Sequence, residues 1–292
     1  MADIERFETL ISAARLQTRL DEGDLLLVDV RHDLAQPAAG REAYAAGHIP
    51  GAIFLHLDDD LSGMKTGHNG RHPLPPRDQF AARVAALGVH STTQVVAYDA
   101  QGGMFAARLW WMLRWLGHSR VAVLDGGLPA WQALGAPLSQ EAAPPRLQGS
   151  FTASSPLVPQ TSAAEILSQL GTTRKLVIDA RAPDRFRGEN ETLDPVGGHI
   201  PGAANRFFRD NLQPDARFKS ALQLHEDFHA VLGHYSPDDI IMQCGSGVTA
   251  CHNLLAMEIA GLHGAALYPG SWSEWCSDPA RPIETTSATG AT

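Results

Sequence analysis

Short apolar runs alternate with segments of helical periodicity through both halves of the chain. The runs have strand length and are continuous, and the segments between them carry apolar residues at helical spacing. The predicted strands are 94–98, 121–124, 240–242 and 265–268, and the predicted helices are 106–116 and 249–259. Strands separated by helices favour parallel pairing, so the pattern predicts an α/β fold with both sheet faces covered.

A long internal repeat underlies this alternation. Residues 47–52, Gly-His-Ile-Pro-Gly-Ala, recur without change at 198–203. An apolar run ending in Asp-x-Arg precedes each copy, and a Gly and a Trp five positions apart follow each copy. Because Gly and Pro set a turn into a strand, and because both halves carry the motif, we interpret its histidines, His48 and His199, as structural. A repeat this long indicates a duplicated domain rather than a solenoid.

A proline-rich segment separates the two copies. Residues 137–160 contain five prolines among small and polar residues. Proline at this density disfavours a helix and favours an extended, exposed connector. The predicted organisation is therefore an N-terminal domain at 1–136, a linker at 137–160 and a C-terminal domain at 161–292.

Composition restricts the classes of function. Of the 292 residues, 44% are hydrophobic and 19% are charged, and the formal net charge is -9. A weakly acidic chain argues against nucleic-acid binding. No apolar run approaches the ~20 residues that cross a bilayer, and the first ten residues lack the layout of a signal peptide. We therefore expect a cytoplasmic protein that binds neither nucleic acid nor membrane.

One cysteine occupies a position typical of a nucleophile. Cys244 follows the predicted strand 240–242 closely and opens the loop Cys-Gly-Ser-Gly-Val-Thr at 244–249. Ligands of α/β sheets bind beyond the carboxyl ends of strands. The two glycines permit a tight loop with inward N–H groups, and the positive end of the next helix points back at it. Such sites lower a thiol pKa from about 8.5 to roughly 3.5–7.5, so we predict a thiolate at Cys244. The alternative is a buried structural cysteine.

The other cysteines lack this setting. Three cysteines without a C-x-x-C pair indicate neither a disulfide framework nor a zinc site. We interpret Cys251 and Cys276 as packing residues, with a resolving role for Cys251 as the alternative. Aligning the halves puts Asp99 opposite Cys244, so the N-terminal copy is predicted to be non-catalytic.

These motifs, in order and in both halves, resemble the two-domain rhodanese family of sulfurtransferases over about residues 25–283. The resemblance implies two tandem rhodanese-like domains, each a mainly parallel sheet flanked by helices, with only the C-terminal one catalytic. Thiosulfate enzymes of the family carry basic residues after the cysteine, whereas the neutral loop here is similar to that of 3-mercaptopyruvate sulfurtransferases. Thiosulfate is a compact dianion, while mercaptopyruvate holds its carboxylate farther from the sulfur, which suits a neutral loop.

The resemblance also implies roles for individual residues. The catalytic residues it implies are Cys244, Ser246, His72 and Asp58, the last three as a proton relay. The substrate-binding residues it implies are Arg185, Gly245, Gly247, Val248 and Thr249. Arg185 lies in Arg-Phe-x-Gly and matches the position that binds the substrate carboxylate. Residues 189–197 lack the second arginine that mercaptopyruvate members often place there, which leaves Arg187 or Arg209 as candidates.

The predicted function is transfer of sulfane sulfur from 3-mercaptopyruvate through a Cys244 persulfide, with no metal or organic cofactor. The predicted acceptor is a thiol, such as that of thioredoxin, or cyanide. Thiosulfate as donor on the same residues is the alternative, and a sulfur carrier without turnover is a more remote one. A cysteine phosphatase would need Cys-x5-Arg, and the arginine position is Ala250.

Overall fold

The computed structural model describes residues 5–286 and divides the chain into two compact units. The N-terminal unit comprises the chain up to Gly63, Leu74–Leu157 and Gln213–Phe218. The C-terminal unit comprises Met64–Pro73, Val158–Leu212 and the chain from Lys219 onward. The segment Met64–Pro73, which carries His72, therefore belongs to the C-terminal unit although its neighbours in the sequence belong to the N-terminal one.

The N-terminal unit contains a five-stranded sheet with parallel pairing throughout, in the order β1-β5-β4-β2-β3. Its strands are β1 (Leu10–Ile11), β2 (Leu25–Asp29), β3 (Ile53–Phe54), β4 (Gln94–Tyr98) and β5 (Val121–Leu124). Its helices are α1 (Ala13–Gln17), α2 (Ala39–Ala46), α3 (Arg77–Ala86), α4 (Ala106–Trp115) and α5 (Gly127–Ala133). The strands β2, β4 and β5 are buried along their whole length, which explains their almost continuous apolar sequence.

The C-terminal unit repeats the plan with four parallel strands in the order β7-β6-β8-β9. Its strands are β6 (Leu176–Asp179), β7 (Ala204–Asn205), β8 (Ile240–Gln243) and β9 (Ala266–Leu267). Its helices are α6 (Ala163–Gln169), α7 (Pro183–Arg187), α8 (Ala221–Leu232), α9 (Thr249–Ile259) and α10 (Ser271–Trp275), with 3-10 turns at Phe208–Asn211 and Pro237–Asp239. The central strand β8 leads directly into Cys244. The predicted α/β fold is confirmed.

The repeated Asp-x-Arg motif joins two parts of each unit. Arg31 donates hydrogen bonds to both carboxylate oxygens of Asp29 and one to the carbonyl of Gly47. Arg181 does the same with Asp179 and the carbonyl of Gly198. The aspartate ends a central strand, and the glycine opens the repeated Gly-His-Ile-Pro-Gly-Ala motif. The charge-assisted bonds therefore fix that turn to the end of the sheet.

The histidines of this motif are packed against aromatic rings. His48 stacks on Tyr44 at 3.9 Å between ring centroids, and its two ring nitrogens lie 2.8 and 3.0 Å from backbone carbonyl oxygens. His199 stacks on Phe186 at 3.8 Å, with its Nδ1 2.7 Å from the Phe186 carbonyl oxygen. These contacts support the structural interpretation of both histidines.

Buried tryptophans explain the repeated Gly-x4-Trp. Trp131 is fully buried in the apolar cluster of the N-terminal unit, together with Leu16 and Val96. Trp275 is fully buried in the cluster of the C-terminal unit, beside Trp272. A buried aromatic side chain removes about 150–250 Å² from water, so each tryptophan contributes a large part of its core.

The proline-rich segment has no helix, as predicted, but backbone hydrogen bonds hold it along the N-terminal unit. Gly149 donates to Ala85 at 2.8 Å, Phe151 to Val89 at 3.0 Å and Ser154 to Leu116 at 2.9 Å. The segment is mostly exposed, and these bonds attach part of it to the N-terminal unit. The domain boundaries at 136 and 161 stay a prediction. Within residues 5–286, none of the helices combines the length and apolar character needed to cross a membrane.

Candidate active site

The loop after β8 is anchored to α10. Trp272 N–H donates to the Cys244 carbonyl at 2.9 Å, and Ser273 N–H donates to the Gly245 carbonyl at 2.9 Å. The Cys244 N–H donates to Ser271 Oγ at 3.0 Å. Gly247 has a φ of +77°, and a Cβ there would lie 2.2 Å from the Pro269 carbonyl oxygen. Only glycine fits this position, so the loop course depends on it.

Cys244 comes shortly before the N-terminal, positive end of a helix. The residue is 2% exposed, and α9 begins five residues later at Thr249. Val248 caps this helix without a side-chain hydrogen bond. The first N–H groups of a helix carry partial positive charge, which favours an anion nearby. This placement is the one that the sequence predicted for a reactive sulfur.

Ser246 and His72 are brought together from distant parts of the chain. Ser246 Oγ lies 2.7 Å from His72 Nδ1, and the two side chains are almost completely buried. Both belong to the C-terminal unit, because Met64–Pro73 is part of it. A hydroxyl bonded to an imidazole can accept or deliver a proton, and this one lies two residues after Cys244 in the same loop.

The Arg185 guanidinium lies against the second residue of the loop. A Cβ placed on Gly245 would be 3.7 Å from both Nη1 and Nη2 of Arg185. Arg185 comes from α7, and its Nε and Nη2 donate to the carboxylate of Glu191 at 2.8–3.1 Å. Burial alone would raise the pKa of Glu191, but hydrogen bonds from Arg185 and from backbone N–H groups hold that pKa below its ordinary value. Glu191 therefore stays ionised and fixes the arginine.

A second guanidinium, which the sequence did not predict, lies at the same residue. A Cβ on Gly245 would be 2.9 Å from Nη2 of Arg71. The Arg71 N–H donates to Ser273 Oγ at 3.0 Å, and its Nη1 is hydrogen-bonded to Asp194. Arg71 directly precedes His72, so the histidine already singled out was the one signal that could have found it.

The arginines proposed from sequence for the second position have other contacts. Arg187 forms a two-bond ion pair with Glu189, at 2.8 and 3.1 Å. The Arg209 guanidinium lies 5.9 Å from the Phe208 ring centroid. The described contacts of these two arginines therefore do not involve the loop.

Asp58 is placed in the N-terminal unit, near His32. One carboxylate oxygen of Asp58 lies 3.9 Å from Nε2 of His32. These two residues and His56 have ligand atoms within 4.8 Å of one another. Both ring nitrogens of His56 are already within 3.3 Å of backbone groups, which leaves it poorly suited to bind a metal. The role of Asp58 beside His72 stays a prediction.

The other two cysteines are enclosed. Cys251 is fully buried in α9, where its Sγ donates to the Gly247 carbonyl at 3.3 Å. Burial raises the pKa of the Cys276 thiol to about 11, with Asp194 adding to the effect. Both arrangements support the interpretation of these cysteines as packing residues.

The corresponding loop of the N-terminal unit has a carboxylate in place of the sulfur. Asp99 follows β4, and its two oxygens accept N–H bonds from four loop residues at 2.8–3.0 Å. These donors are Gln101, Gly103, Phe105 and Ala106. The loop is therefore closed around its own anion.

The fold and the duplicated loops agree with the comparison to known proteins. The chain belongs to the rhodanese-like domain family, whose model matches residues 12–134 and again residues 162–278. It is 47% identical over 278 residues to a probable 3-mercaptopyruvate sulfurtransferase of Pseudomonas aeruginosa, covering 94% of this chain and 98% of the relative.

A relative with a different name matches just as much of the chain. A putative thiosulfate sulfurtransferase of Mycobacterium tuberculosis is 38% identical over 282 residues, covering 95% of this chain and 97% of the relative. Among solved structures, a 3-mercaptopyruvate enzyme of Escherichia coli superposes with a TM-score of 0.77 at 31% identity, covering 91% and 99% of the two chains. The names of these relatives therefore divide between two sulfur donors.

Proposed function

We propose that this protein is a sulfurtransferase that moves sulfane sulfur from 3-mercaptopyruvate to a thiol or to cyanide through a persulfide on Cys244. One observation carries the proposal. The loop that begins with Cys244 has the Arg185 guanidinium against its second residue and His72 bonded to its third. A candidate nucleophile, an anion-binding group and a proton-transfer pair are thus brought together at three consecutive residues of one loop.

In the first half-reaction the Cys244 thiolate attacks the sulfur of 3-mercaptopyruvate. A sulfur–sulfur bond forms, and the bond between that sulfur and the substrate methylene carbon breaks. The electron pair of the broken bond leaves on carbon as the enolate of pyruvate. The enolate takes up one proton to give pyruvate, and Cys244 is left as a persulfide.

Ser246 and His72 serve the proton transfer in this step. The Ser246 hydroxyl, hydrogen-bonded to His72, delivers the proton that the enolate requires, and the imidazole replaces it. We assign Asp58 the role of orienting His72 during this step, as the family resemblance implies. A positioned relay of this type typically contributes about 10²–10⁴-fold to a rate.

Arg185 binds the substrate carboxylate, and the loop backbone binds the sulfur. The guanidinium has a donor edge that matches a carboxylate, and Nη1 of Arg185 has no hydrogen-bond partner within residues 5–286. N–H groups of Gly245, Gly247, Val248 and Thr249 stabilise the negative charge of the outer persulfide sulfur. The reaction needs no metal or organic cofactor.

In the second half-reaction an acceptor removes the outer sulfur. Cyanide carbon attacks it and leaves as thiocyanate, while the Cys244 thiolate returns. A thiolate acceptor forms its own persulfide in the same way, and the exposed dithiol of a thioredoxin would fit this role. A cytoplasmic location, where such thiols stay reduced, is part of the proposal.

Thiosulfate is the second candidate donor. Two guanidinium groups beside Gly245 supply positive charge that a dianion would also use. The side chains of Glu191 and Asp194 form ion pairs with these guanidinium groups and offset much of their positive charge. We therefore rank the monocarboxylate donor first.

The test is thiocyanate formation from cyanide, with 3-mercaptopyruvate and thiosulfate at matched concentrations. We expect at least about a tenfold preference for 3-mercaptopyruvate in kcat/KM, ping-pong kinetics, and gain of one sulfur atom on Cys244 by intact mass spectrometry. Cys244→Ser should abolish transfer, and Ser246→Ala should lower kcat about 10²-fold.

Each other result has a definite meaning. Transfer by Cys244→Ser at the wild-type rate would overturn the persulfide mechanism. A preference for thiosulfate would make the second candidate the function. Persulfidation without turnover on cyanide would identify a sulfur carrier instead of an enzyme.

A further inference from the structure

We infer that Arg71 completes the site that binds the donor carboxylate, as a second guanidinium supplied by the segment Met64–Pro73 and held by Asp194. The inference deepens the proposed function and rests on it. Residues 189–197 contain no arginine. The structure instead brings a guanidinium to the loop from a different part of the chain.

Unused donors of two arginines converge on one residue. Arg185 uses Nε and Nη2 on acidic side chains, and within residues 5–286 its Nη1 has no hydrogen-bond partner. Arg71 uses Nη1 on Asp194, and its Nη2 has no partner in the same part of the chain. Nη1 of Arg185 lies 3.7 Å and Nη2 of Arg71 lies 2.9 Å from a Cβ placed on Gly245, the residue that follows Cys244. A carboxylate beside Gly245 would therefore accept from both.

The Arg71 guanidinium is held in place at both ends of the residue. Its backbone N–H is bonded to Ser273 Oγ, and Ser273 N–H is bonded to the Gly245 carbonyl. Its Nη1 is bonded to Asp194, whose other oxygen lies 3.5 Å from Nη2 of Arg185. One carboxylate thus orients both arginines. Little side-chain entropy remains to be lost when a ligand binds.

The carboxylates that orient the two arginines are much less exposed than the guanidinium groups that would bind the donor. The side chains of Glu191 and Asp194 are 5% and 3% exposed, whereas those of Arg185 and Arg71 are 21% and 29% exposed. A soluble anion can therefore reach the guanidinium groups but not the carboxylates beneath them. A site that binds a carboxylate needs this arrangement, in which buried carboxylates hold the guanidinium groups and the guanidinium groups are accessible to the ligand.

The test removes the carboxylate from the substrate as well as the arginine from the protein. Mercaptoacetone carries the same transferable sulfur next to a ketone but has no carboxylate. Thiocyanate formation from cyanide is measured with this donor and with 3-mercaptopyruvate, for wild type, Arg71→Met and Arg71→Lys. Arg187→Met is the matched control, since the hydrogen bonds of the Arg187 side chain within the described part of the chain go to its neighbour Glu189.

We expect Arg71→Met to lower kcat/KM for 3-mercaptopyruvate by about 10- to 100-fold, because a charge-assisted hydrogen bond to the donor is lost. Its kcat/KM for mercaptoacetone should stay within about twofold of wild type. Arg71→Lys should be intermediate for 3-mercaptopyruvate, and Arg187→Met should equal wild type with both donors.

Equal losses with both donors in Arg71→Lys, or no loss in Arg71→Met, would overturn the inference. If Arg71→Met fails to fold, a loss confined to 3-mercaptopyruvate in Arg71→Lys still supports it. If wild type uses thiosulfate but not 3-mercaptopyruvate, sulfur transfer stands and the carboxylate site is wrong. If wild type transfers no sulfur, the proposed function itself fails.

Discussion

The loops that open with Asp99 and Cys244 share an attachment and differ in their first side chain. Each follows a central strand of its own sheet, β4 in one unit and β8 in the other. In each, the first carbonyl accepts an N–H bond from the helix near the domain end, from Leu128 at 2.8 Å and from Trp272 at 2.9 Å. The Asp99 carboxylate then takes four backbone N–H bonds, whereas position 244 has a thiol.

Both loops direct backbone N–H groups toward the side chain of their first residue or toward its surroundings. In the N-terminal unit the loop directs four N–H groups at one side chain, and the carboxylate of Asp99 accepts all of these hydrogen bonds. A cysteine at the same position places a polarisable sulfur where negative charge is favoured, and this sulfur can accept a further sulfur atom. These contacts support the prediction that the first copy is non-catalytic and that the second is the candidate for catalysis.

The largest expected effect comes from making the second loop like the first. Cys244→Asp should lower sulfur transfer by at least about a thousandfold, because the nucleophile is lost. The new carboxylate should accept loop N–H bonds as Asp99 does, so thermal stability should match or exceed that of Cys244→Ser. Transfer assays and thermal unfolding of both variants test this. A Cys244→Asp variant much less stable than Cys244→Ser would mean that the two loops differ in course.

A second prediction concerns the anion of the first loop. Asp99→Ala leaves four loop N–H groups without their acceptor, three of them in buried hydrogen bonds, so we expect a loss of about 3–5 kcal/mol in the free energy of unfolding. The control is Asp33→Ala, since Asp33 also accepts two backbone N–H bonds but is exposed, and about 0.5–1 kcal/mol is expected there. Urea denaturation measures both. A cost for Asp99→Ala no larger than the control would contradict a saturated loop.

The smallest effect concerns a cysteine outside the loop. Because burial raises the pKa of Cys276 to about 11 from an ordinary 9.0, the folded state disfavours its thiolate. The stability linked to this thiol is complete below pH 9 and is lost as the pH rises toward 11. Between pH 8 and pH 10.5 wild type should therefore lose about 1–2 kcal/mol more than Cys276→Ala.

Urea denaturation of wild type and Cys276→Ala at the two pH values measures this difference. Sulfur transfer at pH 7.5 should be the same for both proteins, since a buried neutral thiol is neither a nucleophile nor a ligand. Reduced transfer by Cys276→Ala at unchanged stability would show that cysteines outside the loop take part in the reaction.

Much of the fold was predictable because its signals are local. The predicted strand 121–124 and helix 249–259 coincide with β5 and α9. The predicted strand 265–268 is longer than β9 (Ala266–Leu267), because apolar residues continue beyond the end of strand pairing. The proline-rich segment was correctly predicted to lack a helix, but its bonds to the N-terminal unit involve backbone atoms, which carry no signature in the sequence.

The duplication, the α/β class and the position of the candidate nucleophile, Cys244, follow from the sequence alone, because each is visible in short motifs of the chain. Only tertiary packing determines which side chains lie against the loop that this cysteine opens. His72 and Ser246 are 174 positions apart, and the hydrogen bond between them exists only in the folded chain. Arg71 was invisible for the same reason. An isolated surface arginine and one held beside Gly245 by Asp194 have the same local sequence, and only packing distinguishes them.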